Sequence, residues 1–163
     1  MFKIKLLILL LASSILFSCT SNRKESEVKL SISYIGGNYD GLNLSNQLRS
    51  HLNNFGMLDD RSNYQVQAKV SHSTNLYITN IDNTSDRERV TSTFEIKIYD
   101  LDLSCFTYKF EDKISQFYIL APGDKFLSNK RAIDEIKIDN VDYFVKKFIN
   151  NFNLNNLVCN ENE

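Results

Sequence analysis

Between residues 133 and 152 the apolar side chains fall at Ile133, Ile136, Val141, Phe144, Val145, Phe148, Ile149 and Phe152. A recurrence of three or four residues is the mark of a helix with one buried stripe. Asp134 and Glu135 near its start and Lys146 and Lys147 near its end suit the helix dipole. Such a stripe has to be covered, and most of the remaining chain has the period of two that makes a half-buried strand. "VKLSISYIGG" alternates Val28, Leu30, Ile32 and Tyr34 with polar residues and closes on Gly36 and Gly37. "YQVQAKV" alternates Tyr64, Val66, Ala68 and Val70, with "LYITNI" continuing it after an irregularity around Ser71 to Asn75. "VTSTFEIKIYD" sets Val90, Ser92, Phe94, Ile96 and Ile98 on one face, and "CFTYKFEDKI" sets Phe106, Tyr108 and Phe110 on another. One further helix lies between the first two strands, with Leu44, Leu48, Leu52 and Phe55 in its stripe, Asp40 or Asn43 to cap it and Gly56 to end it.

The order is thus β-α-β-β-β-α, an α+β fold. Two helices packed on one face of a four-stranded mixed sheet bury every stripe at once. The crossover through the first helix makes strands one and two parallel, and the later connections are hairpins. The aromatic stripe is read as core.

The first 19 residues belong to something else. Lys3 and Lys5 precede a run from Leu6 to Phe17 that Ser13 and Ser14 interrupt, too short for the roughly 20 apolar residues of a spanning helix. That is the form of an export signal. Leu16, Phe17, Ser18 and Cys19 resemble a bacterial lipobox, in which the cysteine is cut and lipidated. Two acyl chains on Cys19 would hold the protein on a bilayer where one chain barely does. The chain then divides into a leader (1–18), a lipidated tether (19–27) that includes the charged "RKESE", a folded domain (28–155) and a polar tail (156–163).

Composition narrows the partners. Lys3 and Lys5 leave with the leader, so the balance of 19 basic against 20 acidic residues moves from −1 to −3. Nucleic acid is not an expected partner, since no basic stripe is present. His51 and His72 sit among polar neighbours without metal-ligand spacing and are read as solvated surface groups, so no metal and no cofactor is expected. Paired acids such as Asp100 with Asp102, or Glu111 with Asp112, fall where turn and strand-surface residues belong. No nucleophile, base and orienting group come together, and the chain is not expected to be an enzyme.

With Cys19 lipidated, Cys105 and Cys159 remain as an even pair in a compartment that permits disulfides. Strand residues 106–115 climb about 33 Å at roughly 3.3 Å each, and helix residues 130–153 return about 36 Å at 1.5 Å each. Cys159 therefore comes back to the end where Cys105 begins. A bond or two free thiols both fit that geometry.

With its elements in this order, the chain resembles the LPS-assembly lipoprotein LptE family. The likeness is carried by the lipobox, "NQLRSHL" in the first helix, the strand from Tyr64, "DRERVTSTFEIKIYDLD", "SQFY" and "NKRAIDEI" opening the last helix. It implies a lipid-anchored protein on the periplasmic face of the outer membrane, where Thr20 in place of aspartate after the lipidated cysteine favours sorting. It also implies a plug inside the LptD barrel that helps deliver lipopolysaccharide to the cell surface. Basic residues at the turn after strand two and at the start of the last helix contact lipopolysaccharide in that family. Arg87 and Lys130 match best, with Arg131 as an alternative to Lys130 and Arg89 beside Arg87. A lipoprotein of the same membrane that regulates a periplasmic cell-wall synthase or transport complex is the alternative reading.

Overall fold

The computed structural model describes residues 28–78, 86–120, 126–152 and 157–159. The segments read as leader and tether, Cys19 among them, lie outside the described residues, as does most of the tail. The described chain runs β1 (Ser31–Gly36), α1 (Asn38–Asn54), β2 (Tyr64–Ile78), β3 (Asp86–Asp100), β4 (Cys105–Ile119) and α2 (Phe126–Asn151). This is the expected α+β order. The strands form one sheet, β1-β2-β3-β4, with β1 parallel to β2 and the other pairs antiparallel.

Both helices lie on the same face. Leu44, Leu48 and Leu52 of α1 and Val141, Phe144, Val145 and Phe148 of α2 are buried against Val66, Val70, Phe94, Ile96 and Ile98 of the sheet. The Phe144 ring stacks on Phe94 at 4.2 Å between centroids and on Phe110 at 5.4 Å. Rings packed in this way add to the area they bury.

Several details depart from the expected pattern. A register shift between Ile32 and Tyr34 puts Ile35 against the core and leaves Tyr34 exposed. A second shift between Ile98 and Tyr99 does the same to β4. Phe106 stands on the outer face, edge-on to the Tyr99 ring at 5.1 Å and under the Lys97 ammonium at 5.4 Å, so it is not part of the helix-covered stripe. An extra residue in one strand flips the side chains beyond it to the other face. β2 runs unbroken through Ser71 to Asn75, and β3 begins at Asp86 instead of Val90.

Helix α1 starts earlier than a side-chain cap predicts. Gly37, at φ 119°, is its N-cap, with no capping side chain from Asp40 or Asn43. At the other end Gly56 (φ 66°) supplies the left-handed turn, and Met57 N donates to Leu52 O at 2.8 Å, which closes the helix as a Schellman turn does. Phe55 lies past the stripe and is half exposed. α2 begins at Phe126, so Asp134 and Glu135 are not in its first turn, nor Lys146 and Lys147 in its last.

The two helices run side by side in the same direction. At their C-terminal halves His51 Nε2 meets Asp142 Oδ1 at 2.9 Å, so His51 belongs to the helix–helix contact and not to the open surface. Burial pushes the Asp142 carboxyl up, but hydrogen bonds from Lys146 and His51 outweigh it and hold that group below its ordinary range.

Candidate functional site

β2, β3 and β4 are each 15 residues long, roughly 50 Å at about 3.3 Å per residue. β1 reaches only as far as Lys69 on β2. The far end of the sheet, with the starts of both helices, therefore projects past the best-packed core. This end carries the basic residues singled out in the sequence.

They occupy two surfaces. On β3 the core-facing side chains are Val90, Ser92 and Phe94, so Arg87 and Arg89 point to the opposite, helix-free face. Their cross-strand neighbours on β4 are Ile119 and Phe117, both exposed. The next pair along, Thr91 and Ser115, joins hydroxyls at 3.0 Å. Two guanidinium groups beside two large apolar side chains make an amphipathic patch.

Lys130 is on the other side, in a cleft of about 540 Å³ between the N-terminal halves of α1 and α2. Tyr39, Asp40 and Asn43 of α1 face Lys130 and Lys137 of α2 across it, and His72 of β2 is at its floor. The volume lies within the range of small-molecule sites. Arg131 turns away from the cleft and pairs with Glu135 at 3.2 Å, one helical turn on, with both side chains largely in solvent.

Beneath the cleft is a polar chain that inspection of the sequence missed. His72 Nδ1 meets Ser92 Oγ at 2.7 Å, Asn140 Nδ2 donates to the same oxygen at 2.9 Å, and Gln116 Nε2 donates to Asn140 Oδ1 at 2.5 Å. Ser92 and Asn140 are fully buried. His72 is thus a half-buried floor residue, not a solvated one. Burial holds its pKa below the ordinary histidine value and the Lys137 ammonium adds to that, while the Asp40 carboxylate works against it.

Cys105 and Cys159 are bonded, with Cα atoms 5.8 Å apart. Among the described residues, no group of three or more His, Cys, Asp or Glu side chains is arranged to hold a metal ion. No helix among them is long and apolar enough to cross a membrane.

No family model matches the chain, nor does any curated protein. Solved structures do. The fold is similar to that of rare lipoprotein B from Shewanella oneidensis, at a TM-score of 0.60 with 13% identity, over 75% of this chain and 91% of that one. A minor lipoprotein from Acinetobacter baumannii aligns at a TM-score of 0.48 with 19% identity, over 74% of this chain and 91% of that one. At such identities the first likeness speaks for the fold alone, and the second falls below the level that supports even that.

Proposed function

We propose that the chain is an outer-membrane lipoprotein, anchored through Cys19, that acts with an LptD-type barrel as plug and assembly factor in the delivery of lipopolysaccharide. The observation that carries the reading is the pairing of Arg87 with Ile119 and of Arg89 with Phe117 at the end of the sheet remote from Val28. Phosphate is matched by guanidinium in a two-pronged geometry, and an acyl chain by the apolar side chains beside it. Lys130 stands at the same end on the cleft side. A likeness in fold to rare lipoprotein B supports the same reading.

The test replaces Arg87 and Lys130 together by Asp. Circular dichroism and co-purification with the barrel should be unchanged, while affinity for purified lipopolysaccharide falls about tenfold, the loss expected when a charge-assisted bond goes. The residual binding should also depend less on salt. Unaltered binding by a folded double variant removes the contact site. Co-purification of a periplasmic synthase in place of a barrel removes the role.

A further inference from the structure

The end where the described chain begins has an apolar surface of its own. Val28, Lys29 and Leu30 run beside the loop that leaves α1, where Leu30 N donates to Met57 O at 2.7 Å and Lys29 Nζ to Gly56 O at 2.8 Å. At this end Phe55 is 50% exposed, Leu101 45%, Leu103 62% and Val158 65%. They come from the helix layer, the β3–β4 turn and the tail, so they describe an end face and not a groove.

The display is built in. Asp100 Oδ1 accepts from the backbone N of Asp102 at 2.8 Å and of Leu103 at 3.2 Å. Leu101 N donates to Asn63 O at 3.0 Å, and Asn63 Nδ2 donates to Asp102 Oδ2 at 2.8 Å. A turn tied at four points holds its two leucines outward. Val158 is kept beside them by its N–H bond to Thr107 O at 3.1 Å and by the neighbouring disulfide.

Exposed apolar side chains gathered at one place mark a contact with another phase or partner, and the chain outside the described residues says which. Val28 lies at this end, and in the lipidated chain the nine residues from Cys19 to Glu27 precede it. Residues 20–27 can span at most about 28 Å, at roughly 3.5 Å each, so a lipid on Cys19 keeps this end close to the bilayer. The charges choose the headgroup. Asp59, Asp60 and Asp102 balance Lys29, Arg61 and Arg49 here, with Arg49 paired to Asp60 at 3.7 Å, so these groups carry no net charge together. A neutral end gains nothing from anionic headgroups, and a zwitterionic surface suffices for it.

We propose that the lipoprotein, before it meets a barrel, stands with this end seated on a zwitterionic phospholipid surface, with Phe55, Leu101 and Leu103 entering the headgroup region. The inference rests on the lipidation of Cys19 in the proposed function. Its consequence is orientation: the strands rise from the bilayer, with Arg87 about 43 Å along β3 from the seated turn at roughly 3.3 Å per residue and Lys130 about 32 Å along α2 from its C-terminal end at 1.5 Å per residue, free to be met by the barrel.

The native chain has no tryptophan, so single reporters can be placed. Lipidated protein carrying Leu103→Trp or Leu127→Trp, the latter at the opposite end, is reconstituted into phosphatidylcholine vesicles with and without brominated acyl chains. Leu103→Trp should lose at least half of its emission to the brominated lipid, and Leu127→Trp should lose none. Adding phosphatidylglycerol should not increase the quenching. Co-flotation with no quenching at position 103, equal quenching at both positions, or quenching at 127 alone overturns the seat and leaves the anchor standing. Failure of the lipid-modified protein to co-float overturns the anchor, and the seat with it.

Discussion

Cys105 at the start of β4 and Cys159 in the tail are joined across 54 residues of chain, with α2 lying between them. A cross-link of that span removes loop entropy worth about 4 kcal/mol from the unfolded chain, and losses of 2–5 kcal/mol are usual when a native bond is removed. Cys159→Ser should therefore lower the melting temperature by roughly 10 °C or more. Non-reducing mass spectrometry of protein exported to the periplasm should find neither thiol open to alkylation. Two alkylated thiols, or an unmoved melting temperature, would mean that the tail docks without the bond.

Asn140 should be among the least replaceable polar residues. Its amide donates to Ser92 and accepts from Gln116 with no solvent in reach. Asn140→Leu fills the space but leaves the buried Ser92 hydroxyl with His72 as its one partner, while the exposed Gln116 turns to solvent, at a cost of about 1–2 kcal/mol. Combining it with Ser92→Ala should cost less than the two single changes added, because both remove the same Asn140–Ser92 hydrogen bond. Urea denaturation of the four proteins in the cycle measures this.

What was legible in the sequence is what depends on period alone. Leu44, Leu48 and Leu52, and Val141, Phe144, Val145 and Phe148, sit in the core where their spacing puts them. The two register shifts were not legible, since no glycine or other special residue announces them at Ile32 or Ile98, and they exchanged the faces of Tyr34 and Phe106. The first turns of α2, "FLSNKRA", have too few apolar residues to signal a helix that starts at Phe126. His72 looked solvated because Ser71 and Ser73 flank it. On a strand those neighbours face the other way, and the side chains that surround His72 come from Ser92, Phe94 and the cleft. The same alternation sends Arg87 and Arg89 away from Lys130, which closeness to the same end of the fold had concealed.

Gly37 tolerates no side chain. Its φ of 119° lies where only glycine is comfortable, and an added Cβ would stand 2.5 Å from Val70 O and 2.9 Å from Val70 Cγ1. The close approach is what lets the chain leave β1 and enter α1 directly over β2. Gly37→Ala should destabilise the domain by at least about 2 kcal/mol, the sum of backbone strain and a contact that must be relieved. Gly36→Ala, where the nearest atoms are the flexible Tyr34 and Lys69 side chains at 3.1–3.3 Å, should cost clearly less. Thermal melts of both variants compare them directly.

The last prediction concerns acid. Asn140 donates to one lone pair of Ser92 Oγ, and His72 Nδ1 lies 2.7 Å from the same oxygen, which can either accept from the ring or donate to it. Protonating the ring would place a charge inside a half-buried site, which burial disfavours. Asp40 is the acid that eases this charge and Lys137 of α2 opposes it, while Asp134 and Lys130 line the same cleft. Because the folded pKa is depressed, the unfolded chain binds the proton more readily. The contribution of His72 to stability is then fully present above the ordinary histidine pKa of about 6.5 and declines as the pH falls from there through the lowered folded value. His72→Gln, which keeps an acceptor but cannot titrate, should flatten the stability profile between pH 6.5 and the onset of carboxylate protonation. Denaturant midpoints measured across that interval decide the matter: a slope as steep in the variant as in the native protein would assign the acid sensitivity to another group.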